Sequence, residues 1–244
     1  MAQDARRALA YFTSMQIDLA QHGQGEAQRH ADQLLSLLIP ITNGFLTEAS
    51  FEATYWGVQV FGGAGFIRET GVEQYMRDCR ITSIYEGTNG IQANDLLRRK
   101  VLGTNGALLG LMQARIAKLC EQLDAVPELT ELTRQLRKAS STWNNITAQI
   151  AERSRSDPEE PAAAAFDYLM ISGYVCVAYF WAQMALVAQQ KLSGGAAGDA
   201  FYTSKLQTAR FYYTRLLPRI ESHAEAIRAG KQSVMEIAPD GFVF

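Results

Sequence analysis

The sequence predicts an all-α protein, and three observations carry that expectation. Apolar residues recur at helical spacing through long segments, as at Leu9, Phe12, Met15 and Leu19. No run of alternating Val, Ile and Thr makes a persuasive strand. The segments are parted by short clusters of Gly, Pro, Ser and Asp, such as "DAVPE", "SRSDPEEP" and "SGGAAGD", which supply turn chemistry where the chain must reverse.

In chain order, a first helix is expected over 4–21, ending at the Gly-containing "HGQGEAQ". Helical pattern then runs over 31–61, where Pro40 either opens the main helix as a first-turn residue or kinks it. Ile41, Phe45, Ala49, Ala53, Trp56 and Val60 recur at helical spacing and are expected to face the core. "FGGAGFIRETG" breaks the helix, "VEQYMRDCRI" resumes it briefly, "SIYEGTNG" turns again, and "IQANDLLRRKVLG" is helical to a stop at Gly103. Beyond Gly103 four long helical patterns follow, over 107–123, 128–155, 160–191 and 199–229, as in an antiparallel bundle. The expected organisation is therefore two helical domains, 1–103 and 104–244. The closing "EIAPDGFVF" reads as a turn followed by an apolar end that packs onto the protein.

A chain of 244 residues that is 48% hydrophobic buries a sizeable core, and a formal charge of -2 gives nucleic acid or an acidic membrane no basic surface to bind. Cys79, Cys120 and Cys176 are far apart and show no metal-ligand spacing, so a reduced, cytoplasmic setting without disulfides or metal is expected. His22, His30 and His223 are isolated and lack ligand spacing. The amino terminus reads as an amphipathic helix rather than a secretory signal, and it begins as a longer protein might if cut. The uncharged stretch 168–189 is long enough to cross a bilayer. Ser172 and Gln183 within it, and the absence of a flanking basic cluster, favour a buried bundle helix over a membrane span.

Two stretches carry candidate chemistry. In "SIYEGTNGIQ", Glu86 stands between Tyr85 and the turn formers Gly87, Thr88, Asn89 and Gly90. A carboxylate so placed suits a general base aimed into a cleft, and it equally suits a surface acid favouring the dipole of the following helix. "FGGAG" permits close backbone approach to a phosphate or an adenine, and it serves equally as a helix stop. It follows a helix rather than a strand, so it is no Rossmann fingerprint.

Taken together, the two stretches have a wider likeness. "QVFGGAGFIRETGVEQYMRDCRITSIYEGTNGIQANDLLRRK", 59–100, resembles the carboxy-terminal helical region of the acyl-CoA dehydrogenases in its Gln-x-x-Gly-Gly-x-Gly element, its Met-Arg-Asp, and its Tyr-Glu-Gly-Thr followed by Ile-Gln. Gln74 departs from the family, where a basic residue is expected. The segment from Thr104 onward is similar to the extra helical domain of the longer bacterial members, and its aromatics, including Tyr174, Tyr179, Phe180, Trp181, Phe211, Tyr212 and Tyr213, suit packing or subunit contact.

The resemblance implies a set of roles. Glu86 would remove the α-proton of an acyl-CoA while the β-hydrogen leaves as hydride to the flavin N5 of FAD. The thioester carbonyl would be polarised by a flavin ribityl hydroxyl and by the backbone amide of the glutamate. Gly87 would lie against the substrate. Thr88, Asn89 and Gly90 would stand near the FAD diphosphate, and Gln59, Phe61, Gly62 and Gly63 would reach the FAD of a neighbouring subunit, so a homo-oligomer is implied. Arg77 and Asp78 would tie their helix to its neighbours, and Arg98 and Arg99 would form a solvated helix end. Electron-transfer flavoprotein would be the electron acceptor. An acyl-CoA oxidase and a non-catalytic helical interaction module are the competing readings. The family's amino-terminal helical and β-barrel domains have no counterpart in this sequence, so this chain alone is expected to be helical, colourless and inactive.

Overall fold

The computed structural model describes residues 3–195 and 198–241. Among them there is no strand, and the chain is a succession of helices. α1 (Gln3–His22) buries Ala5, Leu9, Thr13 and Gln16, which follow one another at helical spacing. α2 (Gly25–Phe61) is longer than the sequence pattern indicated and runs through Pro40 unbroken. A proline inside a helix costs about 3 kcal/mol, and here Pro40 is itself buried between Leu38 and Ile41, so packing holds the segment helical.

The outer end of α2 corrects an expectation. Ile41, Phe45 and Ala49 are buried, but Trp56 is 53% exposed and Val60 is 83% exposed. The heptad-like pattern continues past the point where the rest of the bundle covers it. α4 (Val72–Ile81) is one of the few elements packed on this end, and it leaves the opposite face bare. Between the two helices come the four-residue α3 (Gly63–Phe66) and a 3₁₀ turn at Arg68–Thr70.

α5 (Asn89–Asn94) does not continue regularly to Gly103. It widens into a π-helical stretch over Asp95–Val101, a 3₁₀ turn at Leu102–Thr104 and a left-handed pair, Asn105 and Gly106. α6 (Ala107–Asp124), α7 (Thr130–Arg153) and α8 (Glu160–Ser193) follow. The single helical pattern expected over 199–229 is divided. α9 (Ala200–Phe211) ends in a π turn at Tyr212–Leu216, and Pro218, which cannot continue the hydrogen-bond ladder, precedes α10 (Arg219–Ala229). The short α11 (Gln232–Met235) and a 3₁₀ turn at Pro239–Gly241 close the described chain. The apolar end expected to pack, Phe242, Val243 and Phe244, lies outside the described residues.

α8 is the axis of the molecule. It packs against α1, α2, α5, α7, α9 and α10, and its apolar stretch is 83% buried by them. Both α8 and α2 are long and apolar enough to cross a membrane; α8 spends that surface on a protein core instead. The core is continuous from Leu9 and Leu34 through Phe45 and Leu96 to Trp143, Trp181 and Tyr212. Of the aromatics singled out in the carboxy-terminal half, Tyr174, Tyr179, Phe180, Trp181, Tyr212 and Tyr213 are buried, and Phe211 is exposed.

Candidate active site

The loop that precedes α5 is built from its ends inward. α4 stops at Ile81, and the carbonyl of Ile81 accepts from the amides of Ile84 and Tyr85 at 3.0 and 3.2 Å. The Asn89 amide then reaches back to the Ser83 carbonyl at 3.2 Å, closing the loop over 83–89. Thr88 caps α5, its hydroxyl accepting from the Ile91 amide at 3.4 Å. Within this closed loop Glu86 has φ 55, and Gly87 follows with φ 91. Among the described residues only Asn105 shares such a conformation with Glu86 without being glycine. A left-handed backbone costs a side-chain-bearing residue roughly 1–2 kcal/mol, so a Glu at this position is held there against its preference.

Glu86 is exposed, and its neighbours Tyr85 and Ile91 are half or more exposed beside it. Its carboxylate has no hydrogen-bonding or ionic partner among the described residues, and the same holds for its backbone N–H. Its carbonyl accepts from the Gln92 side chain at 3.4 Å. The site thus offers an acceptor carboxylate and an unused amide donor from one residue. Gly87 is half-buried, and a side chain there would begin 3.2 Å from the Gln92 amide nitrogen.

Asn89 behaves differently from its neighbours. Its side chain turns inward, 5% exposed, and donates to Glu48 Oε1 on α2 at 2.7 Å. The Thr47 hydroxyl lies 3.0 Å from Asn89 Oδ1 and 2.9 Å from the Gly44 carbonyl, serving one of them at a time. The side chain is therefore committed to α2, and Thr88 and Gly90 remain on the outside. Neither Thr47 nor Glu48 was singled out in the sequence. Glu48 meets its partner across 41 residues, and its only trace is a polar pair interrupting the apolar Phe45–Ala49 face.

The glycine-rich stretch lies farther along α2. The helix ends at Gly62, φ 60, whose amide returns to the Gln59 carbonyl at 3.1 Å. Gln59, Phe61, Gly62 and Gly63 are all exposed, and no atom stands within 4 Å of where a side chain would begin on either glycine. From Glu48 to Gln59 along α2 is roughly 16 Å at the helical rise. The two stretches are thus separate places on one helix face system, linked by α4, with a cleft of about 390 Å3 between α2 and α4 lined by Ser50, Ala53, Gly57, Val72 and Tyr75.

The remaining singled-out residues are peripheral. Asp78 accepts from Gln74 on its own helix at 2.6 Å, so Gln74 supplies locally what a basic residue would have supplied by charge. Arg77 is exposed and ties α4 to nothing among the described residues. Arg99 pairs with Asp95 at 3.0 Å, and Arg98 donates to the Pro158 carbonyl at 2.8 Å. His223 is not isolated: it sits 2.7 Å from Asp167 and stacks on Tyr174.

Comparison with known proteins agrees in both halves of the chain. Residues 3–101 match the family described as "Acyl-CoA dehydrogenase, C-terminal domain", and residues 109–238 match "Acetyl-CoA dehydrogenase C-terminal like". The 3-methylmercaptopropionyl-CoA dehydrogenase of Ruegeria pomeroyi is 37% identical over 91% of this chain and 37% of its own length. A butyryl-CoA dehydrogenase of Syntrophomonas wolfei is 29% identical, over 98% of this chain and 40% of its own length. The fold is similar to that of Caenorhabditis elegans ACDH-11, crystallised in complex with C11-CoA, with a TM-score of 0.73 at 17% identity, covering 98% of this chain and 38% of that one. The chain spans about two-fifths of the length of the relatives it matches. With one family match over more than half of its length and the other over most of the remainder, the chain belongs to the acyl-CoA dehydrogenase family.

Proposed function

We propose that this chain supplies the proton-abstracting part of an FAD-dependent acyl-CoA dehydrogenase that introduces an α,β double bond into an acyl-CoA thioester. The observation that carries the reading is Glu86 itself, an exposed carboxylate held at φ 55 on a closed loop where glycine would fit at lower cost. Glu86 takes the α-proton. Its unused N–H donates to the thioester carbonyl and lowers the cost of the charge that develops there. Gly87 leaves room for the acyl chain beside the carboxylate. The named relatives all act on CoA thioesters, which supports the substrate class.

The exposed backbone of the loop and of the glycine-rich stretch supports flavin nucleotide contacts at two separate places. Thr88, Gly90 and the backbone of Asn89 would stand near the FAD diphosphate, and Gln59, Phe61 and the bare backbone of Gly62 and Gly63 would reach the FAD of a neighbouring subunit. FAD, when bound, supplies the hydride acceptor for the β-hydrogen. The exposed apolar residues around Gly62 and Gly63, namely Val60, Phe61, Phe66 and Ile67, support a second subunit covering this end. Electron-transfer flavoprotein is the acceptor we propose for the reduced enzyme. All the proposed site residues lie within 1–103, and we infer that 104–244 is a second unit serving contacts rather than chemistry. Because Glu86 stands exposed on its loop, we infer that the chain alone does not turn over.

In the full-length protein, Glu86→Gln keeps shape and removes the base. Flavin reduction by acyl-CoA should fall by about two orders of magnitude or more with flavin binding intact. Bleaching at near the parental rate in that variant rejects the assignment.

A further inference from the structure

Asn89 links the loop to α2 through one acidic residue. The loop over 83–89 is closed by the Asn89 amide on the Ser83 carbonyl, so whatever fixes Asn89 fixes both ends of the segment that holds Glu86. Its side-chain NH2 donates to Glu48 Oε1 at 2.7 Å, and a carboxylate acceptor permits only this orientation of the amide. A hydrogen bond to a carboxylate is stronger than one between neutral groups. The Thr47 hydroxyl touches the other side of the same amide at 3.0 Å. Glu48 has no ion-pair partner among the described residues, although nearby acids do, such as Glu52 on the same helix with Arg219 and Asp95 with Arg99. Its one hydrogen bond there is to Asn89.

We propose that Glu48 is a positioning residue, which through Asn89 holds the 83–89 loop in the conformation that presents Glu86. The inference rests on Glu86 as the base, but its physical content is separable. A left-handed Glu86 is unfavourable on its own, and the loop keeps it only while its closure is stable. Removing the acceptor leaves a buried amide unpaired and frees the closing residue. The carboxylate of Glu86 then samples positions away from the α-carbon, and misplacement on the order of 1 Å costs up to roughly a hundredfold in rate. Glu48→Gln keeps a side-chain oxygen for the Asn89 amide, so the role requires an acceptor and not a charge.

The test uses the full-length flavoprotein with Glu48→Ala, Glu48→Gln and Asn89→Asp, the last facing Glu48 with a second carboxylate in place of the donor. In Glu48→Ala, hydrogen exchange in the peptide spanning 83–92 should speed up about tenfold or more, with peptides of α8 unchanged. The limiting rate of flavin reduction by a saturating acyl-CoA should fall at least about tenfold, with the half-saturating concentration altered by less than about threefold. Glu48→Gln should recover both readouts to within about threefold, and Asn89→Asp should reproduce the losses. Unchanged exchange in Glu48→Ala and Asn89→Asp overturns the proposal, as does a Gln variant as impaired as Ala. If Glu86→Gln proves active, the base assignment fails, and the exchange measurement still decides the role of Glu48.

Discussion

Gly173 of α8 lies against the ring of Phe45 of α2 so closely that a methyl group on Gly173 would stand 2.0 Å from Phe45 Cγ. The relation is nearly reciprocal: one helical turn away on α8, Leu169 covers Gly44, at 2.6 Å from where its side chain would begin. Phe45 in turn meets Tyr174 edge-on at 5.1 Å. This interlock brings the two longest helices together within about one helical turn of Thr47 and Glu48, the residues on which Asn89 docks. Gly173→Ala should lower stability by about 1–3 kcal/mol, because the ring and the backbone have to separate. Gly44→Ala should cost less, since the Leu169 side chain is able to swing aside. Thermal denaturation of the two variants measures this, and equal melting points for Gly173→Ala and the parent rule out the close approach.

Glu86 makes an opposite prediction about stability and activity. Glycine adopts φ 55 without the penalty that a Cβ imposes. Glu86→Gly should therefore leave stability unchanged or raise it by up to about 1 kcal/mol, after the greater entropy of glycine in the unfolded chain is subtracted. The same substitution removes the proposed base. A variant at least as stable as the parent, with flavin reduction lost, is the expected pair of results from urea titration and rapid-mixing absorbance. A marked loss of stability contradicts the left-handed conformation.

The buried tyrosines and cysteine predict how stability depends on pH. Burial pushes the hydroxyls of Tyr168, Tyr212 and Tyr213 well above the ordinary tyrosine range, and burial pushes the Cys176 thiol up to about 12. Below about pH 7.5 these groups are protonated whether the chain is folded or not, and their contribution is fully present; in the unfolded chain the thiol titrates first, near about 8.5, and the phenols near about 10. Above that, the unfolded chain loses protons first, so stability falls by about 1.4 kcal/mol per pH unit for each group that has begun to titrate. Urea midpoints should be level up to about pH 7.5, begin to fall by about pH 9 as the thiol ionises in the unfolded chain, and drop more steeply from about 9 to 11. Tyr212→Phe, which also loses a 2.8 Å hydrogen bond to the Tyr174 carbonyl, should start lower and decline less steeply. A midpoint that stays level to pH 11 would falsify the burial of these groups.

What the sequence made legible follows from the range of the forces involved. Helix existence is local, and so the patterns over 4–21, 107–123 and 160–191 agree with α1, α6 and α8 to within a few residues. Breaks that depend on geometry rather than composition were not legible. The π-helical stretch at Asp95–Val101 contains no glycine or proline to mark it; the break at Pro218, by contrast, carries a compositional signal that the undisturbed periodicity around it outweighed. Periodicity says which residues share a face but not what covers it, which is why Trp56 and Val60 have the spacing of Phe45 without its burial. At the candidate site, the turn that carries Glu86 and Gly87 was legible because turn chemistry is local. Glu48 was not, since its partner lies 41 residues away.

The last prediction concerns how the two halves of the chain hold together. Arg219 of α10 donates to Glu52 of α2 at 2.7 Å and to the Tyr174 hydroxyl of α8 at 3.2 Å, joining three helices from both halves. Nearby, the buried Arg6 donates to the Ala49 carbonyl at 2.9 Å. Both members of the Arg219–Glu52 pair are about one-third exposed, so solvent screens part of the attraction. A double-mutant cycle of Arg219→Ala and Glu52→Ala should give a coupling of about 0.5–1 kcal/mol, reduced at high salt. The continuous core predicts further that the 1–103 and 104–244 segments unfold together. Tryptophan fluorescence, sensitive to Trp56 in one half and to Trp143 and Trp181 in the other, and far-UV circular dichroism should then report one shared transition. Two separated transitions, or zero coupling in the cycle, would mean that the halves are merely adjacent.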